Sequence, residues 1–508
     1  MVRRLTGFDA SFLYTESPTV LMHTLKVAVV EPPAGLSPSD RFERLRHELA
    51  RLLDRLPAFR WRVVEVPFGL DHPVWIEDPH FDLDYHLHRI AAPEPGGPRE
   101  LDAVIADIAS HPLDRGHPLW EIWMVEGLAG GDLAFVAKIH HAVADGGASA
   151  AMLTSVMERE AGGGAEANGA SEPAPHASEP LPSALALVGG AVRHQARRLR
   201  GALPLAGRTV RGGVRVLRRF AESTIHPPMP FVTPKTPFNE PLSPTRSFAS
   251  TSLSLARVKR IKDAAGVTLN DVVLGLAGGA LTRYLHRRGL TPDRSLIATV
   301  PVSVAEAGTG LRLSGNELSN VFMSLCTDVA DPRDRLRRIH KVAEAAKETH
   351  ERLGPKVLVE WAEFAPPRVA SWAIRAYSDL RLARLHRPAA NAIVSNVRGP
   401  AEPVTIAGAK LKHLYSVGPI VDGIGVNLTA WSYGPELAFA VIAGHDNVPD
   451  AHEITDGLHG ALDELEAACV EVPRSSRRRA APRSSADVSR TITRSPRRAR
   501  RPARRVRR

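Results

Sequence analysis

The amino-acid sequence predicts an α/β protein, and three observations carry that expectation. The chain has 508 residues and is 44% hydrophobic, enough for roughly two or three folded units with sizeable cores. In two stretches, 1–160 and 236–472, short β-branched runs alternate with helix-period patterns. Between them, Ala161 to Pro182 reads AGGGAEANGASEPAPHASEPLP, a composition with little to bury. The expected organisation is a first unit at 1–160, a linker and basic region at 161–235, a second unit at 236–472 and a tail at 473–508.

Taken in order, the first unit should hold a helix around Ser39 to Leu56, a strand from Leu133 to His141 and a helix from Ala148 to about Glu160. Leu181 to Phe220 carries nine arginines and no acidic residue among leucines and valines. It reads as a basic amphipathic helix broken at Pro204 and at Gly212 and Gly213, either packed on the body or lying on a membrane surface. The second unit should hold a helix from near Leu269, a strand from Ser295 to Val302 and a charged helix from Asp331 to about Arg352. Strands are expected near Ala392 to Val397 and Leu437 to Ile442.

The formal charge of +11 is not spread over the chain. Residues 473–508 hold 15 Arg and one Asp, a net of +14, so the other 472 residues carry 11 − 14 = −3. A tail so rich in charge and poor in apolar residues is expected to be disordered, holding anionic lipid or RNA without sequence selectivity if it binds anything. Two cysteines, Cys326 and Cys469, are too few for a disulfide framework. The N-terminus lacks a signal-peptide core, and no run approaches the ~18 apolar residues of a spanning helix. A cytoplasmic location with peripheral membrane contact at most is the simplest expectation.

The chemistry concentrates in KIHHAVADGG, Lys138 to Gly147. Along the expected strand, Leu133, Phe135, Ala137, Ile139 and His141 share one face, while Val136, Lys138 and His140 share the other. His141 therefore ends an apolar face, where burial keeps an imidazole neutral and able to act as a general base. Asp145 fits either a loop-fixing role or N-capping before Ala148. Gly146 and Gly147 allow positive φ and a close backbone approach. His140 and His141 point to opposite faces, which argues against a shared metal ion, and no metal site is expected. The chain has no G-x-S-x-G, H-E-x-x-H, Walker A or dinucleotide-binding glycine pattern.

HHAVADG resembles the HHxxxDG signature of CoA-dependent acyltransferases and condensation domains. From Leu5 to about Asp450 the chain is similar to the bacterial wax ester synthase/diacylglycerol acyltransferase family. The motifs run in order: LTGFDASFLYTESPTVLMH from Leu5, PLWE from Pro118, TPFNEPLSPTRSFA from Thr236, TLNDVVLGLAGGALTRYL from Thr268, SGNELSN from Ser314, SNVRGP from Ser395 and DGIGVNLTAWSYGPELAFAVIAGHDNVPD from Asp422.

The resemblance implies two domains like chloramphenicol acetyltransferase with a tunnel between them, and direct transfer from acyl-CoA to diacylglycerol or a long-chain fatty alcohol. Acyl-CoA is then a substrate and no cofactor is implied. By the same resemblance His141 is the base, His140 orients it, and Asp145 holds the loop through a salt bridge. Asn270 either donates to the oxyanion or caps its helix. Gly146, Trp120, Gly423 and Gly425 are implied to shape the substrate site, core or tunnel. Arg398 stands in SNVRGP where the family shows Pro, and the arginine-rich tail lies outside the family pattern. Lipid acceptors imply a peripheral association with membrane or lipid droplets. Two other readings stay open: a related acyltransferase with a small alcohol, amine or carrier-bound acceptor, and a non-catalytic lipid- or nucleic-acid-binding protein.

Overall fold

The computed structural model describes residues 3–145, 148, 151–152, 157–159, 181–222, 228, 231–303, 314–316, 318–354 and 356–470. Residues 161–180 of the expected linker (161–182), the tail (473–508), Gly146 and Gly147 lie outside the described residues. Along the first part run β1 (Arg3–Arg4), α1 (Gly7–Thr15), β2 (His23–Glu31), α2 (Pro38–Leu53), β3 (Trp61–Val64) and β4 (Val74–Glu77). They are followed by β5 (Leu87–Ala91), α3 (Pro98–Ser110), β6 (Trp120–Glu126), β7 (Leu133–His140) and β8 (Met157–Arg159).

A long helix, α4 (Ala184–Glu222), comes next. The remainder runs β9 (Arg246–Ser254), α5 (Leu255–Ala265), α6 (Leu269–Arg287), β10 (Ile297–Ser303), β11 (Leu318–Ser324) and α7 (Pro332–Leu353). Then come α8 (Val357–Ala362), α9 (Pro367–Asp379), β12 (Ala392–Arg398), β13 (Val404–Ile406), β14 (Ala409–Val417), β15 (Val426–Tyr433), β16 (Glu436–Gly444) and α10 (His452–Cys469).

Two large mixed sheets organise these elements. One has the strand order β5-β6-β7-β2-β14-β13-β8, the other β11-β10-β12-β15-β16-β9, and a small third sheet is β1-β4-β3. The first sheet takes β13 and β14 from residues 404–417, pairing β14 antiparallel with β2. Buried side chains of both sheets meet in one core, with Val27, Val29 and Ile105 beside Phe248, Ala438 and Ile442. The described residues fall within a single compact unit, Met1–Val470.

Two local expectations are corrected. The helix expected from Ala148 to Glu160 does not reach its end, because Met157–Arg159 form β8 and pair with β13 at Val404–Ile406. Ladder hydrogen bonds with a distant strand there outweigh local helix propensity. The basic helix is not broken at Pro204, Gly212 or Gly213, since α4 runs through all three. Pro204 lies on the exposed side, where water can serve the carbonyl that its missing N–H leaves unpaired. Gly212 has a packing reason, because a Cβ there would collide with the Leu353 carbonyl at the end of α7.

Candidate active site

The β2–β7 ladder ends at the pair His23–His140, and the next residue continues it once more, His141 N–H donating to Met22 O at 2.7 Å. The chain then turns, with Val143 N–H bonded to His140 O at 3.0 Å. His141 is thereby fixed at the mouth of the strand with its side chain 8% exposed.

The ring's tautomer follows from its neighbours. Asn316 Nδ2 donates to Asp9 Oδ1 at 2.6 Å and to the backbone carbonyl of His141 at 2.8 Å. A carboxylate and a carbonyl only accept, so the amide nitrogen faces them and Asn316 Oδ1 faces His141 Nδ1, 3.0 Å away. Oδ1 also only accepts, so Nδ1 carries the proton and Nε2 keeps its lone pair. Burial holds the imidazolium form down, outweighing the opposing effects of Asp145 and the Asn316 hydrogen bond, and the pKa falls to about 4. The His141 imidazole is therefore neutral near pH 7.

The supporting shell comes from both ends of the chain. Thr6 caps α1, accepting from Asp9 N–H at 3.0 Å while its hydroxyl donates to Asp9 Oδ2 at 2.8 Å. That leaves Oδ1 of Asp9 for Asn316. One turn on, Phe12 stacks on the His141 ring at 4.3 Å between centroids. Residues 314–316 are zipped to the loop after β7 by Gly315 N–H to Val143 O at 2.7 Å and Asp145 N–H to Gly315 O at 3.2 Å. Gly315 takes φ +80° to do so, a conformation that glycine adopts without strain. A cavity bounded by Asp9, Val143, Ser314 and Gly315 extends from this junction toward Trp61 and Trp75.

His140 faces a different set of groups. Its Nδ1 accepts from Ala142 N–H at 3.0 Å, and its Nε2 lies 3.4 Å from Glu16 Oε1. Burial pushes the Glu16 carboxyl up, but His140 and Arg115 outweigh it and bring the pKa to about 2. Arg115 reaches Glu16 Oε2 at 2.8 and 3.0 Å. The two motif histidines thus diverge to separate partners. Among the described residues no group of three His, Cys, Asp or Glu side chains is placed to hold a metal ion.

Asp145 is buried and its Oδ1 accepts from Ala148 N–H at 2.7 Å, the N-capping geometry. Its charge also favours the protonated forms of His141 and of Lys26, a buried lysine that burial nonetheless lowers to about 8. Trp120 belongs to the core: it is 1% exposed, donates to Phe59 O at 2.7 Å and stacks on His86.

Gly423, at φ +82°, and Gly425 sit in the turn before β15. Their neighbours are Asn239, which donates to Gly423 O at 2.7 Å, and Phe238, whose carbonyl takes the Gly425 N–H at 2.7 Å. No described hydrogen bond or ion pair joins either glycine, or Asn270, to His141. Asn270 is not the cap of its helix: Thr268 caps α6 in a reciprocal box with Asp271. The half-buried Asn270 side chain makes no hydrogen bond among the described residues. Arg398 is exposed at the end of β12.

Four residues of this site were not singled out from the sequence: Asp9, Phe12, Glu16 and Asn316. Each lies inside a quoted motif, the first three in LTGFDASFLYTESPTVLMH and the last in SGNELSN. The motifs marked the segments without showing which side chain faces which.

The chain is similar to known proteins over most of its length. Residues 5–273 match the wax ester synthase/diacylglycerol acyltransferase catalytic domain, and residues 314–466 match the C-terminal domain of the same family. A candidate diacylglycerol O-acyltransferase of Mycobacterium tuberculosis H37Rv is 38% identical over 476 residues, covering 92% of this chain and 96% of that protein. Another, from M. tuberculosis CDC 1551, is 35% identical over 491 residues, covering 94% and 92%. The solved wax ester synthase/diacylglycerol acyltransferase of Marinobacter aquaeolei VT8 superposes with a TM-score of 0.63 at 26% identity, covering 92% of this chain and all of that one. The first condensation domain of the calcium-dependent antibiotic synthetase shares the fold, with a TM-score of 0.55 at 16% identity over 92% and 96% of the two chains. With the family's two domains matched in order and relatives alike over nearly their whole length, the chain belongs to the wax ester synthase/diacylglycerol acyltransferase family of acyltransferases.

Proposed function

We propose that the protein transfers a long acyl chain from acyl-CoA to the hydroxyl of diacylglycerol or of a long-chain fatty alcohol, with His141 Nε2 as the general base. The observation that carries this reading is the tautomer: Asn316 and Asp9 hold the proton on Nδ1, and burial keeps the ring neutral. Nε2 takes the proton of the acceptor hydroxyl as its oxygen attacks the thioester carbonyl. The tetrahedral oxyanion then collapses, the C–S bond breaks, and His141 returns the proton to the departing CoA sulfur. Transfer is direct, with no acyl-enzyme and no cofactor.

Asn270 is the proposed oxyanion donor, supported by the family resemblance and by an amide with no other hydrogen bond among the described residues. The acyl-CoA and lipid acceptor are proposed to meet in a tunnel between the two sheet-bearing domains. In support, residues 314–316 of the later part of the chain close on the end of β7 at His141.

The test follows CoA release and lipid product with long-chain acyl-CoA and either diacylglycerol or hexadecanol. Acceptor-dependent turnover is expected to fall by about 10² or more in His141→Ala, and the faster acceptor names the preferred ester. No acceptor-dependent CoA release from the native protein would overturn the reading.

A further inference from the structure

The surface of α4 divides into three faces. At about 100° per residue, Leu187, Ala191 and Leu205 fall together and are buried against the body. Leu185, Val192, Leu199, Leu203, Val210 and Leu217 fall within about 40° of one another on a different face, and each is 62–84% exposed. Arg193, Arg197, Arg200, Arg211, Arg215 and Arg218 line the flank next to this stripe, and none forms an ion pair with a described residue.

On the stripe's other flank, Gln195 donates to Leu70 O at 3.0 Å, which brings the 67–70 loop alongside. Phe68 in that loop is 73% exposed and takes φ +59°. A left-handed backbone costs a phenylalanine on the order of 1 kcal/mol; here the strain holds an aromatic ring out in water. Exposed apolar surface therefore extends beyond the helix to the loop beside it.

We infer that this face of α4, with Phe68 beside it, docks the protein onto an anionic lipid bilayer. The leucines and valines enter the acyl boundary, and the arginine flank meets acidic headgroups. Charge selects this occupant over a second copy of the chain. From Leu181 to Ala221 there is no Asp or Glu, so two such faces brought together would oppose arginine to arginine.

The docked face is tied to the candidate active site through buried contacts. His194 and Arg198 on α4 reach Asp71 at 2.8 and 3.4 Å. The next residue, His72, takes the Tyr14 hydroxyl at 2.8 Å, and Tyr14 shares α1 with the Phe12 that stacks on His141. Docking would thus hold the reacting centre a fixed distance from a lipid-borne acceptor. The inference does not rest on the chemistry assigned to His141, because it is tested by binding without turnover.

Two full-length variants, Leu203→Cys and Lys262→Cys, would each carry an environment-sensitive fluorophore; the native Cys326 and Cys469 are buried. On vesicles of phosphatidylcholine with phosphatidylglycerol, the label at 203 is expected to brighten several-fold, shift to the blue and resist aqueous iodide. The label at 262, on α5, stays aqueous. Leu199→Glu combined with Val210→Glu, both at exposed positions, is expected to weaken vesicle binding at least tenfold. Arg211→Ser with Arg215→Ser and Arg218→Ser is expected to reduce the preference for phosphatidylglycerol over pure phosphatidylcholine several-fold. An aqueous label at 203 on protein that still sediments with vesicles would overturn the inference, because another segment then does the binding. So would a label that dries without vesicles as the protein self-associates.

Discussion

At the scale of single residues, the proposed base depends on partners that keep one proton in one place. With His141 brought to about 4, the neutral base persists until well into acid. The acid limb of kcat/KM should therefore fall near pH 4, with activity level from pH 5 to 7 where an ordinary histidine near 6.5 would already be losing it. A limb near 6.5 would show that the ring is not the buried neutral group found here. Asn316→Ala removes the acceptor for Nδ1–H and frees the ring to place its proton on Nε2. The expected loss in kcat is about 10²–10⁴-fold with KM little changed, by analogy with histidines that lose their orienting partner. An unchanged kcat would remove Asn316 from the positioning shell.

At the scale of elements, adjacent glycines in α4 should respond with opposite signs. At Gly212 a Cβ meets the Leu353 carbonyl, whereas at Gly213 it meets nothing within 4 Å. Gly212→Ala is expected to cost about 1–3 kcal/mol by forcing α4 off α7. Gly213→Ala should stabilise by about 0.5–1 kcal/mol through helix propensity alone. Urea unfolding of the two variants measures both.

A second element-level effect joins α3 to α10. His452 Nε2 contacts Asp102 Oδ2 at 3.1 Å, and Asp102 also accepts from Ser250. Its hydrogen bond to Asp102 raises the His452 pKa despite partial burial. The folded state therefore holds this proton more tightly than the unfolded chain. The stability it contributes is complete below about pH 6.5 and fades as pH rises through the higher folded value. The Tm difference between native protein and His452→Gln should shrink over that rise; a pH-independent difference would refute the linkage.

At the scale of the whole molecule, the two large sheets share one buried cluster where they meet, while the second sheet has a further core with its own helices. β14 pairs with β2 in one sheet while it packs on β15 and β16 of the other, and one buried cluster draws on both. The sheets should then open together, although chains of this size often unfold in steps. Hydrogen exchange near the unfolding midpoint is expected to show the amides of β7 and β16 exchanging with one free energy. Leu414→Ala, at a fully buried position in β14, should lower both by about 2–5 kcal/mol. Separate exchange free energies for the two sheets would contradict the shared core.

The sequence by itself determined the α/β class, most element positions and the family, and it pointed to a candidate base, because these depend on local periodicity and on short motifs. It also predicted an amphipathic α4, whose pattern spans neighbouring turns. What it could not pair were groups far apart in the chain. Asn316 lies 175 residues from His141, and Asp9 lies 307 from Asn316. Met157–Arg159 became a strand because Val404–Ile406 came to lie beside it. Gly212 was read as a helix breaker because the Leu353 carbonyl that requires it is invisible to helix propensity. Only the tertiary structure decided which nitrogen of His141 carries the proton, since a tautomer is set by the hydrogen-bonding partners that folding assembles around the ring.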